Sequence, residues 1–298
     1  MLVILAYAVM ALCWAGTWVI GKSVVGAIPP IEMSAIRFTI VAAILLAACR
    51  ALRVPLGRRD LAPVVVAGVV GIAAYNVLVF VGLRVAPASD GALIVPTLIP
   101  ILTALGATAI GERLTRRKVA GFVVASAGAA LVIVGAQPLG GELAVERLVA
   151  DLLILSGAFS WAVYGIAGKL ATRERSPLAL VALTSLVGAV VLVPLGLLEH
   201  AYADVPSWPA GAWLGIAYLV AFGTIVGFVI FQWAVRRFGA GIGSMSSYLV
   251  PVAAVALAFV FLGERPHPAQ LVGAAVILAG VRVATLSRRP ADVVEAAA

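Results

Sequence analysis

The sequence predicts an all-α membrane protein whose ten transmembrane helices form two inverted five-helix repeats. Three observations predict it. First, 63% of the 298 residues are hydrophobic and only 11% are charged, with a mean hydropathy of +1.15. A water-soluble surface needs more charge than that. Second, the apolar runs repeatedly approach the roughly 20 residues that a helix needs to cross a bilayer. Barrel-type alternation is absent, so the spans are helical. Third, the chain repeats itself. Ala11 to Lys22 (ALCWAGTWVIGK) returns 147 residues later as Ala158 to Lys169 (AFSWAVYGIAGK), with Ala11, Trp14, Ala15, Gly21 and Lys22 identical to Ala158, Trp161, Ala162, Gly168 and Lys169. A second pair, Gly111 to Gly128 and Gly263 to Gly280, matches at seven of eighteen positions with an offset of 152.

The spans follow in order. Span one, about 2–21, contains Ala6-Tyr7-Ala8, which resembles a signal-peptidase site. No basic residue precedes it and the apolar run continues to Ile20, so a retained helix is expected. Span two, about 33–50, follows Ile28-Pro29-Pro30, and span three, about 61–83, follows Arg58-Arg59-Asp60. Span four, about 87–110, carries Pro96 and Pro100, and span five, about 119–136, follows Arg116-Arg117-Lys118. Gln137 to Glu146 divides the halves. Spans six to ten are expected at about 149–170, 177–198, 211–235, 239–262 and 268–286. The domains are therefore a first repeat at 1–136, a linker at 137–148, a second repeat at 149–286 and a cytoplasmic tail at 287–298.

The net charge of +8 would suggest nucleic acid in a soluble chain. Here the basic residues cluster between apolar runs and act as topology signals, so no nucleic-acid partner is expected. With the amino terminus inside, sixteen Lys and Arg fall on inner segments and four on outer ones: Lys22, Arg84, Arg147 and Arg265. Both termini are thus expected in the cytoplasm. The Arg116-Arg117-Lys118 cluster is replaced by Pro268-Ala269-Gln270 in the second copy, where the loop would lie outside. Such charge sorting is expected of an inverted repeat, whose binding site forms near mid-membrane where the halves meet. Cys13 and Cys49 both lie in apolar runs and imply no disulfide framework.

Helical spacing places Trp14, Thr17, Trp18 and Gly21 on one stripe of span one. Trp161, Tyr164, Gly165 and Gly168 form the matching stripe of span six. Tyr75 and Asn76 in span three, and Ser244, Ser247, Tyr248 and Pro251 in span nine, add polar groups. These residues could line an aromatic cavity for a solute with an apolar part and a polar head. The alternative is that aromatics and small residues only pack the helices or anchor them at headgroups. For Phe222 and Phe231 lipid contact or packing is the expectation. Pro96, Pro100 and Pro251 favour kinks, which either gate a pathway or only shape it. Arg37 is the deepest charge and needs a partner, with Glu32 or a carbonyl as the candidate. Asp90 is the one acid that keeps proton coupling open. His200 and His267 stand in loops, and HExxH, GxSxG and Cys/His clusters are absent, which argues against an enzyme and implies no metal or cofactor.

These residues resemble the drug/metabolite transporter superfamily, in particular its ten-helix EamA-domain exporters. The likeness is carried by Trp14-Ala15-Gly16-Thr17, Arg37-Phe38, Pro100, Gly111-Glu112-Arg113, the glycines of span five, span six, Gly263-Glu264-Arg265 and span ten. It covers about residues 5–286. The resemblance implies a monomeric, lipid-embedded basket of two inverted repeats that moves small metabolites outward across a bacterial inner membrane. Within the family the chain looks most like the broad-specificity exporters of aromatic and other neutral amino acids. A drug or nucleotide-sugar carrier of the same fold, and a non-transporting scaffold or receptor, are the alternatives.

Overall fold

The structure is a computed structural model that describes residues 2–57, 60–106, 116–135, 142–200, 202–238 and 249–285. These residues run through ten successive helices. They are α1 (Leu2–Ala27), α2 (Pro30–Ala51), α3 (Ala62–Val66, Ala67–Ala74 and Tyr75–Val85 in continuous succession), α4 (Ala88–Gly106) and α5 (Arg116–Gly135). They continue with α6 (Glu142–Ala171), α7 (Pro177–Gly196), α8 (Ala210–Tyr218, Leu219–Val226 and Gly227–Phe238, again continuous), α9 (Leu249–Leu262) and α10 (Pro268–Thr285). Helices α1, α2, α3, α6, α7 and α8 contain apolar spans of 20 to 28 residues, long enough to cross a bilayer. The other four hold shorter apolar stretches over the described residues. Leu12, Val123, Val190 and Leu214 stand exposed on the outside, an apolar surface suited to acyl chains rather than water. The chain is a multi-pass membrane protein.

The helix starts follow local chemistry. Pro30 occupies the first position of α2, where its missing N–H has no intrahelical partner to lose. Ser176 accepts the Ala179 N–H at 3.1 Å and caps α7, with Pro177 next to it. Two boundaries differ from expectation. Helix α1 runs on to Ala27, because Lys22 reaches carbonyl oxygens and so is tolerated inside the helix. Helix α6 begins at Glu142, so residues 142–148, expected as linker, are helical.

The middle segments of α3 and α8 are π-helical, Ala67–Ala74 and Leu219–Val226. They recur at the same offset of 152 and contain no proline. Each brings a glycine against the first helix of the other half of the chain. A methyl group added at Gly71 would meet the Tyr164 ring at 2.7 Å, and one at Gly223 would meet Thr17 Oγ1 at 2.8 Å. Close approach therefore requires glycine at both positions.

Packing crosses between the halves throughout. Helix α2 packs along α7, α4 along α9 and α5 along α10. Helix α3 lies on α6 and α7, while α8 lies on α1 and α2; α4 lies on α6, while α9 lies on α1. The polar contacts sit at the helix ends. Lys22 Nζ donates to the carbonyls of Leu83 (2.8 Å), Arg84 (3.2 Å) and Ala86 (2.9 Å) at the end of α3. Glu264 accepts the N–H groups of Ala88 (2.8 Å) and Ser89 (3.0 Å) at the start of α4. Both charges complement the helix dipoles they face. Asp90 pairs with Arg147 at 2.8 Å and accepts from the Gln270 amide. One face thus gathers the ends of α1, α3 and α9 with the starts of α4, α6 and α10. Helix α2 likewise starts where α7 ends: Glu199 accepts from the N–H groups of Ile31 (2.9 Å) and Glu32 (3.0 Å), and Glu32 accepts from those of His200 (3.0 Å) and Tyr202 (2.8 Å). Toward the opposite ends, Arg175, just beyond α6, donates to the carbonyls of Leu56 (3.1 Å) and Gly57 (3.4 Å), just beyond α2.

Candidate functional site

Where α1, α3, α6 and α8 converge, their aromatic residues form a connected ring cluster. Trp14 of α1 meets Trp161 of α6 edge to face, with centroids 5.5 Å apart. Trp161 also lies 5.0 Å from Tyr75, 4.9 Å from Tyr164, 4.8 Å from Phe228 and 5.6 Å from Phe231. Trp14 donates its indole N–H to the Gly223 carbonyl at 3.3 Å. That carbonyl lies in the π segment of α8, where intrahelical bonding is rearranged and a carbonyl can turn to an outside donor. Trp161 Nε1 is buried and has no acceptor among the described residues.

Beside the cluster lies a cavity of about 50 Å³, within about 560 Å³ of space not filled by protein atoms that includes open solvent. Trp14, Trp18, Tyr75, Phe80, Trp161 and Phe228 supply its rings, and Val79, Leu83, Val95, Ile99 and Val250 its aliphatic walls. Thr17, Arg37 and the backbone at Gly223 supply the polar part. Thr17 donates to the Cys13 carbonyl at 3.0 Å, which leaves hydroxyl lone pairs free to accept.

The structure corrects the partner of Arg37. Glu32 is five residues away, about 140° around the helix, so the two side chains leave different faces. Glu32 instead serves the backbone after α7. Arg37 is 2% exposed and donates from Nε (2.9 Å) and Nη2 (2.6 Å) to Thr224 Oγ1 and from Nη1 to Asn76 Oδ1 (3.5 Å). The Phe38 and Phe80 rings flank its guanidinium at 5.1 and 5.7 Å. Thr224 sits in the π segment of α8 and returns its own proton to the Leu219 carbonyl five residues back, at 2.9 Å.

The other expected residues separate into groups. Trp14, Thr17, Tyr75, Trp161 and Pro96 line the cavity. Tyr164 is fully buried behind Trp161, and Asn76 reaches Arg37 and the Ile72 carbonyl rather than the cavity. Asp90 is fully buried in the Arg147–Gln270 cluster at the helix ends. Pro100 lies within α4 and Pro251 in the first turn of α9, buried. Ser244, Ser247, Tyr248 and the Gly111-Glu112-Arg113 motif lie outside the described residues. Phe231 packs in the ring cluster, while Phe222 is half-exposed. Phe228 also lines the cavity, whereas Thr224 and Gly223 are not among the expected binding residues. The hydroxyl of Thr224 inside an apolar run, and Gly223 standing at the same offset from Gly71, are the signals that could have found them.

Comparison with known proteins gives the family of the chain. The family described as the EamA-like transporter family matches residues 1–134 and 148–286. An aromatic amino acid exporter YddG from Ancylobacter novellus is 33% identical over 284 residues, 93% of this chain and 95% of that one. A probable terminal-alkyne amino-acid exporter from Streptantibioticus cattleyicolor is 33% identical over 235 residues, 78% and 76% of the two chains. An uncharacterized transporter YyaM from Bacillus subtilis is 30% identical over 274 residues, 90% and 88%. A solved crystal structure superposes with a TM-score of 0.66 at 28% identity, covering 95% of this chain and 96% of that one.

Proposed function

The chain belongs to the EamA-like transporter family, and we propose that its task is to export small neutral amino acids, aromatic ones foremost, by alternating access through the ring-lined cavity. The observation that carries the reading is the Trp14–Trp161 contact. It joins two equivalent positions of a duplicated segment at the cavity wall. Two relatives that match most of the chain are amino acid exporters by name, one of them for aromatic amino acids. The rings suit the side chain of such a solute, and Arg37 and Thr17 suit its polar end.

The same reading includes ten spans in two inverted repeats. The packing pairs above map onto one another when the halves are exchanged, and the π segments recur at one offset. The end of α1 shares a face with the start of α6, and the start of α2 with the end of α7, so equivalent helices run in opposite directions. This supports a pseudo-two-fold axis in the membrane plane with the solute near it. The excess of Lys and Arg on one side supports a bacterial plasma membrane with both termini inside. The protein works as a monomer, its apolar exterior solvated by lipid. Export then requires the Asp90–Arg147 face to part while the opposite face closes.

Flux in proteoliposomes with a panel of labelled solutes, with and without a pH gradient, tests the reading. Phenylalanine and other neutral amino acids are expected to cross well above the protein-free rate, and a nucleotide sugar is not. Flux of the nucleotide sugar or of a drug without amino acid flux would assign the chain to another branch of the fold. Absence of flux for every solute would favour a scaffold.

A further inference from the structure

We infer that Arg37 is the anchor for a carboxylate of the transported solute, so that the site selects free acids over their amides and esters. This rests on the exporter reading and narrows it to one chemical class.

An arginine stays charged at any physiological pH. Buried at membrane depth it demands compensation, and a charge left without any is expensive. Arg37 is 2% exposed, yet among the described residues no acidic side chain pairs with it. Its three hydrogen bonds go to Thr224 and Asn76, two neutral groups. Neutral acceptors orient a guanidinium but leave its charge in place. A guanidinium carries five N–H donors in a planar fork, so one on each terminal nitrogen is left without a protein acceptor among the described residues.

The surroundings direct this charge at the cavity, whose wall includes Arg37. The Phe38 and Phe80 rings lie 5.1 and 5.7 Å from the fork. Gly223 leaves room beside it: an added methyl group there would stand 3.4 Å from Nη2. Among the described residues no Asp or Glu lines the cavity. The chamber therefore carries one positive charge that no lining group offsets. A bound carboxylate supplies the missing charge and matches the fork in geometry. The ammonium of a zwitterion then meets ring faces and the Thr17 hydroxyl oxygen, with no fixed anion. Asn76 and Thr224 are positioning residues, acting through the guanidinium.

The test is thermal unfolding of the detergent-purified protein with L-phenylalanine or L-phenylalaninamide, in the wild type, Arg37→Gln and Arg37→Lys. The acid is expected to raise the wild-type midpoint and to bind about tenfold to a hundredfold tighter than the amide. Arg37→Gln is expected to remove that preference, and Arg37→Lys to keep part of it, since Lys retains charge without the fork. Equal stabilisation by acid and amide in the wild type, no stabilisation by the acid, or an undiminished preference in Arg37→Gln would overturn the inference. The wild-type comparison stands even where a variant misfolds. Failure of the exporter reading shows separately, as absent flux for all solutes despite an acid-selective shift.

Discussion

Trp161→Ala is expected to lower phenylalanine flux by about 30-fold or more, because it removes the ring on which five others converge. Aromatic pairs contribute about 0.5–1.5 kcal/mol each beyond their buried area, and truncating a large buried aromatic costs about 3–5 kcal/mol. The loss therefore has two parts, the solute's stacking surface and the shape of the cavity. Trp161→Phe separates them. It keeps a ring and removes the indole N–H, which has no acceptor among the described residues. Its expected loss is about threefold to tenfold, on the scale of one hydrogen bond. Flux is normalised to the monodisperse fraction on size exclusion. If Trp161→Ala transports as the wild type does, the ring cluster is packing and the binding site lies elsewhere.

Arg147→Ala is expected to open the cavity on the Lys22 face. Asp90 is fully buried and its partner Arg147 is about one-fifth exposed. Breaking a fully buried pair costs about 3–5 kcal/mol, and exposure at Arg147 reduces this to about 1–3 kcal/mol. A difference of 1.4 kcal/mol moves a two-state population about tenfold. The readout is thiol labelling at Thr17→Cys from that face, with Cys13 and Cys49 replaced by Ala. Labelling is expected to quicken about tenfold in Arg147→Ala. It is expected to slow again in the charge-exchanged double variant Asp90→Arg, Arg147→Asp. Equal labelling in all three would show that the pair braces the fold and takes no part in opening. Gln270 and Glu264 remain nearby in each variant, so the exchange is expected to restore most rather than all of the closure.

Much of the helix layout could be read from the chain itself. Six long spans are predominantly apolar, and prolines and caps mark several starts. The duplicated Trp was legible because tryptophan inside an apolar run is rare enough for its recurrence to carry information. The site was less legible, for reasons of geometry. Glu32, with a carbonyl as the alternative, is a candidate partner for Arg37 because it is near in sequence, but an i to i+5 spacing turns a side chain to another face. The true partners, Asn76 and Thr224, come from α3 and α8, and no local pattern links them. The π segments were also hidden. Prolines signal bends through a missing donor, whereas a widened turn around Gly71 or Gly223 follows from tertiary contact with Tyr164 or Thr17. That widened turn sets which face of α8 presents Thr224 and Phe228, so neither could be ranked from spacing alone.

Counterflow tests most directly the claim that this chain carries amino acids through a solute-binding cavity. Proteoliposomes are loaded with unlabelled phenylalanine and diluted into a trace of labelled phenylalanine. The account predicts a transient overshoot of label inside wild-type vesicles, nearly lost with Trp161→Ala and absent from protein-free vesicles. No overshoot in wild-type vesicles that hold correctly folded protein would contradict it.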